Sequence, residues 1–170
     1  MSFAARALRL SARQVELLTP PITDDLVVDR LLRSVAAHPP RLTAEILATK
    51  RVAAGAGVSY GHTYRTPSAT TLALVAIGYG HGLPRKAGNR AFVTWGEQAT
   101  RMPIVGRVAM DVLVIEAGPA PVVPGESVVF FGDPAAGELS LGEWCESVGE
   151  HPVSVLASLD DRVTREVTLD

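Results

Sequence analysis

Ile104-Val105-Gly106-Arg107-Val108-Ala109-Met110-Asp111-Val112-Leu113-Val114-Ile115 is the stretch on which the fold turns. Val108, Met110, Val112 and Val114 alternate with Ala109, Asp111, Leu113 and Ile115. In a strand, alternation sends the two sets to opposite faces. Both sets are largely apolar, so the segment 104–116 reads as a strand buried on both sides, like a barrel wall covered by other elements. On that alternation Met110 fills a gap in the core.

The grammar around this stretch is also β. Segments 44–54, 71–78, 91–95 and 127–131 are rich in Val, Ile, Leu, Thr and Phe. Clusters such as Ala54-Gly55-Ala56-Gly57, Gly82-Leu83-Pro84 and Pro124-Gly125-Glu126 separate them. Trp95-Gly96-Glu97 reads as a hairpin turn. One helix is well signalled near the end. Ser140 and Glu143 form a capping box, and Leu141, Trp144, Cys145 and Val148 make one apolar face. Gly149 suits the C-terminal cap. Residues 41–170 are therefore expected to be a mainly β domain, a small β-barrel with one short helix from about Ser140 to Val148.

Residues 1–40 form a helical or extended appendage. Thr23-Asp24 can cap a helix carrying Val27, Leu31, Leu32 and Val35, and Pro39-Pro40 stops it. Residues 3–18 support two patterns. Leu8, Leu10 and Ala12 alternate as in a strand, whereas Ala4, Ala7, Leu8, Val15 and Leu18 suit a helix. The reading leans to a helix or an extended arm.

Composition narrows the function. Hydrophobic residues make up 47% and charged residues 20%, enough apolar matter for a sizeable core. The net charge of −2 and the lack of a basic tract argue against nucleic-acid binding. The single cysteine, Cys145, excludes an internal disulfide framework and a multi-cysteine zinc site. No apolar run is long enough to span a bilayer. The N-terminus does not read as a secretion signal, so a cytoplasmic protein is expected.

A tyrosine sits between glycine-flexible turns in Val58-Ser59-Tyr60-Gly61-His62-Thr63-Tyr64. Ile77-Gly78-Tyr79-Gly80-His81-Gly82 and Gly106-Arg107-Val108-Ala109-Met110-Asp111 follow it. In this order and spacing, the three segments resemble the C-terminal domain of alanine racemase over roughly residues 40–166. Leu42 to Gly55, Pro124-Gly125-Glu126, the late helix and Arg162-Val163-Thr164-Arg165 extend the likeness. The resemblance implies a small barrel of that type. It also implies that Tyr60 is a proton-transfer base, that Tyr79 lines the path to the substrate, and that Met110 and Asp111 lie near the substrate carboxylate.

Racemising an amino acid removes the Cα proton on one face and returns a proton on the other, which two opposed acid/base groups do naturally. In the family the second group is a lysine that holds pyridoxal phosphate (PLP) in a (β/α)8 barrel, a unit of about 250 residues. This chain is too short to contain one. An unperturbed tyrosine ionises near pH ~10, so it needs nearby positive charge to act as a base near neutrality. The family's barrel supplies that charge, so Tyr60 alone is not an activated base.

The departures matter as well. His81 stands where the family has an aspartate, which alters charge and hydrogen bonding in that loop. Val153 stands where a family tyrosine bonds the PLP phosphate, and valine cannot donate that bond. Lys50 and Lys86 do not fall where the cofactor lysine would be. No cofactor is expected on this chain alone, and PLP only through a partner barrel. The four histidines lack i, i+4 ligand spacing, so no metal site is expected, although His62 and His81 fall in loops near one rim. Ser59 lacks the nucleophile-elbow pattern. Arg107 could form an ion pair within the domain. Tyr60, Tyr79, His81 and Met110 are expected to share one rim.

Three functions follow. The leading one is a non-catalytic ligand- or protein-binding module, favoured by Val153 and His81. The alternative is a trans-acting subunit that supplies Tyr60 to a separate PLP barrel. The third is a fragment of a longer gene, against which the unfamiliar helix before residue 40 argues. The expected partner is a PLP-barrel protein or a second copy of the chain.

Overall fold

Three inward residues of one long strand start the barrel. A computed structural model describes residues 6–11 and 39–168. Strand β1 covers Arg6–Ser11, and β2 covers Arg41–Val52. Leu42, Ala44 and Ile46 point inward from β2 and are buried, while Arg41, Thr43 and Glu45 between them stay half-exposed. The remaining strands are β3 (Gly57–Val58), β4 (Tyr64–Arg65), β5 (Thr70–Val75), β6 (Phe92–Trp95), β7 (Thr100–Val105), β8 (Leu113–Gly118), β9 (Ser127–Phe131) and β10 (Val163–Thr168).

Six of these strands close on themselves. The order is β2-β5-β8-β7-β6-β9, with β9 pairing back onto β2, all antiparallel. Closure satisfies every strand edge within the ring. Strand β2 makes this possible because its first part pairs with β9 and its second with β5. Register shifts at Leu42/Thr43 and Ile46/Ala48 mark the irregularities that bend it. The mainly β barrel read from the sequence is the observed fold.

Trp144 plugs one flank. Helix α1 (Leu141–Val148) is capped as expected: Ser140 Oγ accepts the Glu143 N–H at 3.1 Å, and the Glu143 carboxylate accepts the Ser140 N–H at 2.9 Å. The Ser140 N–H and hydroxyl, both donating to the Glu143 carboxylate, hold it below the usual carboxylate range. Leu141, Trp144, Cys145 and Val148 face the core. Trp144 meets Phe130 and Phe131 edge-on, with centroids 6.3 and 5.9 Å away, and its indole N–H donates to Phe92 O at 3.2 Å. Burial, with the Glu150 charge, pushes the Cys145 thiol up to about 12, which leaves it unreactive.

Four sequence expectations need correction. Segment 104–116 is two strands, because the chain leaves the sheet at Gly106 and rejoins it at Leu113. Strand β8 buries Leu113, Ile115 and Ala117 inside the barrel, but Val114 and Glu116 on its other face are only half-buried. A second short helix, α2 (Pro152–Ser158), follows α1, started by Pro152 and by His151 Nδ1 accepting the Val153 N–H at 3.3 Å. Within 3–18, Arg6–Ser11 is strand rather than helix. It pairs parallel with β10 and antiparallel with the start of β2, so the Leu8/Leu10 alternation was the better signal. The helix expected to carry Val27, Leu31, Leu32 and Val35 lies outside the described residues. Among the described residues no helix is long and apolar enough to cross a membrane.

Candidate functional site

Three loops meet at one mouth of the barrel. The first, 59–63, is tightly coiled: Ser59, Gly61 and His62 all have positive φ, at 58°, 74° and 45°. The second, Gly78–Gly82, lies against the third, Gly106–Val112. The Tyr79 N–H donates to Ala109 O at 2.9 Å, and the Gly80 N–H donates to Met110 O at 2.8 Å. Only glycine allows this clasp at 78, because a Cβ there would sit 2.2 Å from Ala109 O.

The loops surround a hollow of about 470 Å³ lined by Tyr60, Tyr79, Arg85, Arg107, Met110 and Asp111, together with the neighbouring main chain of 108–112. Tyr60 is 78% exposed, Met110 51% and Tyr79 40%. Met110 is therefore on the rim and not in the core, because the alternating pattern through 106–112 runs along a loop that no strand pairs with. Tyr60, Tyr79, Met110 and Asp111 come together as the sequence indicated.

His81 does not join them. Its side chain is buried, and its Nδ1 accepts the Gly78 N–H at 3.1 Å. The His81 carbonyl accepts the Asp160 N–H at 3.2 Å. Its place is inside the loop, holding the shape that presents Tyr79. An aspartate could accept the same N–H, so the loop keeps that hydrogen bond despite the change of residue.

Three arginines set the charge of the mouth. Arg85 stacks over the Tyr79 ring, 5.1 Å from its centroid. Arg162 lies 3.3 Å from Asp111 and 2.9 Å from Asp160. Its hydrogen bonds hold the Asp160 carboxyl below the usual range. The Arg107 guanidinium lies about 3.6 Å from where a side chain on Gly61 would begin. Contrary to expectation, Arg107 makes no ion pair among the described residues, so its charge is left for the hollow. Sequence reading gave no role at the mouth to Arg85 or Arg162, which reach it from a single-turn helix and from the residue just before β10. It also missed Asn89, although Gly88-Asn89 carries a turn signal.

The chain has two lysines, Lys50 and Lys86. Lys50 lies on β2, and Lys86 pairs with Glu150 at 2.8 Å. Neither lines the hollow, so this domain has no amine there to hold an aldehyde cofactor. Val153 sits on α2, also outside the lining. No group of three His, Cys, Asp or Glu able to hold a metal occurs among the described residues. What remains is two phenols, two guanidiniums and a carboxylate around a hollow open to solvent. The arrangement offers positive charge to an anion and hydroxyls that can hold a proton.

The family model for the alanine racemase C-terminal domain matches residues 40–167. The chain is similar to the alanine racemases of Salinispora arenicola, 47% identical over 62% of this chain and 28% of that protein. It is also similar to that of Frankia casuarinae, 40% identical over 73% of this chain and 32% of that protein. Among solved structures, the alanine racemase of D-cycloserine-producing Streptomyces lavendulae superposes with a TM-score of 0.73 at 34% identity, covering 78% of this chain and 35% of that one. The enzyme of Streptomyces coelicolor gives 0.70 at 34% identity, covering 83% and 35%. The chain thus spans about a third of the length of these relatives.

Proposed function

The chain belongs to the alanine racemase C-terminal domain family, and from that premise we propose that it is the tyrosine-bearing half of an amino-acid racemase site whose other half is a PLP-binding barrel. One observation carries this reading: Tyr60, Tyr79, Arg85, Arg107, Met110 and Asp111 surround a single open hollow. A domain serving only as a spacer has no need of three glycine-shaped loops that gather two phenols and two cations.

Each group has a task in such a site. The Tyr60 hydroxyl holds or takes a proton on one face of the substrate carbon, opposite a base on the barrel. Arg107 and Arg85 supply positive charge at the mouth, which attracts a carboxylate. The cofactor itself does not fit this domain, since neither Lys50 nor Lys86 reaches the hollow. PLP would enter with the barrel. Its setting would be the cytoplasm, where a lone buried thiol and no disulfide are ordinary.

The test mixes the full chain with a PLP-loaded alanine racemase barrel that lacks its own C-terminal domain and measures D-alanine formed from L-alanine. Activity is expected with the wild-type chain. It should fall about 100-fold or more with Tyr60→Phe, which keeps the ring and removes the proton. No activity with the wild type, in an assay where the barrel rejoined to its own domain is active, would overturn the reading.

Val153 favours a second reading, a ligand- or protein-binding module without catalysis. Where the family resemblance puts a hydroxyl for the PLP phosphate, valine offers none. In that case the same mixture forms a complex but no D-alanine.

A further inference from the structure

We propose that Asn89 is a positioning residue for Tyr60, a latch that fixes the tyrosine loop against the loop carrying Met110 and Asp111. This rests on the reading of Tyr60 as the proton-bearing residue. Asn89 adopts a left-handed conformation, φ 61°, which asparagine takes up more readily than most residues that carry a Cβ.

Both ends of the amide are used. Oδ1 accepts the Gly106 N–H at 2.6 Å, and Nδ2 donates to Thr63 Oγ1 at 3.2 Å. The Gly106 amide can only donate, so it dictates which end of the Asn89 amide faces it. The other end then faces Thr63. The Asn89 main chain is held independently, with its N–H on Ile104 O at 2.9 Å. Asn89 thus ties the end of β7 to Thr63, three residues after Tyr60, and to Gly106, which opens the third loop.

Gly106 is where the two loops touch. On its other side Ser59 Oγ sits 2.6 Å from the point a Cβ would occupy. The tyrosine loop therefore rests on Gly106 through Ser59 and is pinned beside it through Thr63 and Asn89. Without the amide, the Gly106 N–H loses its acceptor. The three positive-φ positions that flank Tyr60, at Ser59, Gly61 and His62, can then relax. Tyr60, 78% exposed, has little packing of its own to hold it in place.

The test uses two variants of the full chain. Asn89→Gly keeps the left-handed backbone and removes both side-chain bonds. Asn89→Asp keeps the acceptor for Gly106 and can receive the Thr63 hydroxyl. Hydrogen–deuterium exchange by mass spectrometry should show residues 59–64 exchanging about tenfold faster in Asn89→Gly and near wild type in Asn89→Asp, with barrel strands unchanged in both. In the mixed racemase assay, Asn89→Gly should lower kcat about tenfold with KM within about twofold, and Asn89→Asp should restore most of it. Unchanged exchange at 59–64 in Asn89→Gly overturns the latch even if the mixture shows no activity at all. If the wild-type mixture is active, an unchanged kcat in Asn89→Gly overturns it as well.

Discussion

Residues 106–112 and 113–118 run in one continuous, alternating, mostly apolar stretch, yet one becomes a loop and the other a barrel strand. The strand 113–118 finds a neighbour on each side, β5 and β7, with Ile115 paired to both, and Leu113, Ile115 and Ala117 are buried. Met110, three residues before, is half-exposed. Composition does not separate them. What does is a glycine at φ 77° that takes the chain out of the sheet, and a neighbouring loop, Gly78–Gly82, whose N–H groups bond to Ala109 and Met110 instead. Alternation shows that a segment can form a strand. It forms one only where a neighbouring edge is available to pair with it.

The contrast between barrel wall and rim can be broken most forcibly from the core. Trp144→Ala should cost about 3–5 kcal/mol, because it removes a fully buried indole from between Phe130 and Phe131. A urea titration should show the midpoint falling sharply, with wall and rim lost in one transition. A rim that melts separately would mean the loops are not carried by the barrel.

Gly78→Ala attacks the rim alone. Its φ of −152° is ordinary for any residue, so the cost is steric: a Cβ meeting Ala109 O at 2.2 Å. A loss of about 1–3 kcal/mol is expected, as for other overpacked contacts. Hydrogen exchange should quicken in 78–82 and 106–112 while β2, β5 and β8 stay protected.

Tyr64 lies where the two regions join. Its hydroxyl on β4 donates to the Glu116 carboxylate on the outer face of β8, tying the β3–β4 hairpin to the wall. That bond, with burial and the Glu116 charge, pushes the phenol up to about 12. A folded pKa above the unfolded value of ~10 means that the stabilisation is complete below pH ~10 and is lost as pH rises through about 12. Ultraviolet titration should therefore find one late-ionising tyrosine, and Glu116→Gln should bring it down. If all tyrosines still ionise together, the hairpin is not tethered in this way.

Tyr60→Phe should have the smallest effect on the fold, under about 0.5 kcal/mol, because the ring is mostly in solvent. Thermal denaturation would check this. A large loss of stability would place Tyr60 in the architecture and remove the reason for reading it as a residue kept for chemistry.

The barrel was readable in the sequence because burial imposes a period. Inward residues of β2, β7, β8 and β9 had to be apolar, and the turns between them needed glycine and proline. The α1 helix was just as plain, since Ser140, Glu143 and Gly149 each answer a backbone group that a helix end leaves unpaired. Helix α2 was missed because Pro152-Val153-Ser154-Val155-Leu156 is too short to show a period and is capped by a histidine, an unusual acceptor there. At the mouth, Tyr60, Tyr79, Met110 and Asp111 were found through their motifs. Arg85, Arg162 and Asn89 were not, because no motif gives them a role there and only the folded loops bring them to the mouth.

The sequence by itself determined a closed β domain and the loops able to carry chemistry, since hydrophobic periodicity and turn residues are local signals. Only the tertiary structure decided where that chemistry points. It moved Met110 from the core to the rim, turned His81 inward as a loop support, and left Arg107 facing the hollow. The reason is physical. A side chain's exposure depends on which distant strand or loop claims its neighbouring backbone groups, and hydrogen bonds such as Gly80 N–H to Met110 O and Gly106 N–H to Asn89 Oδ1 exist only after the barrel has closed.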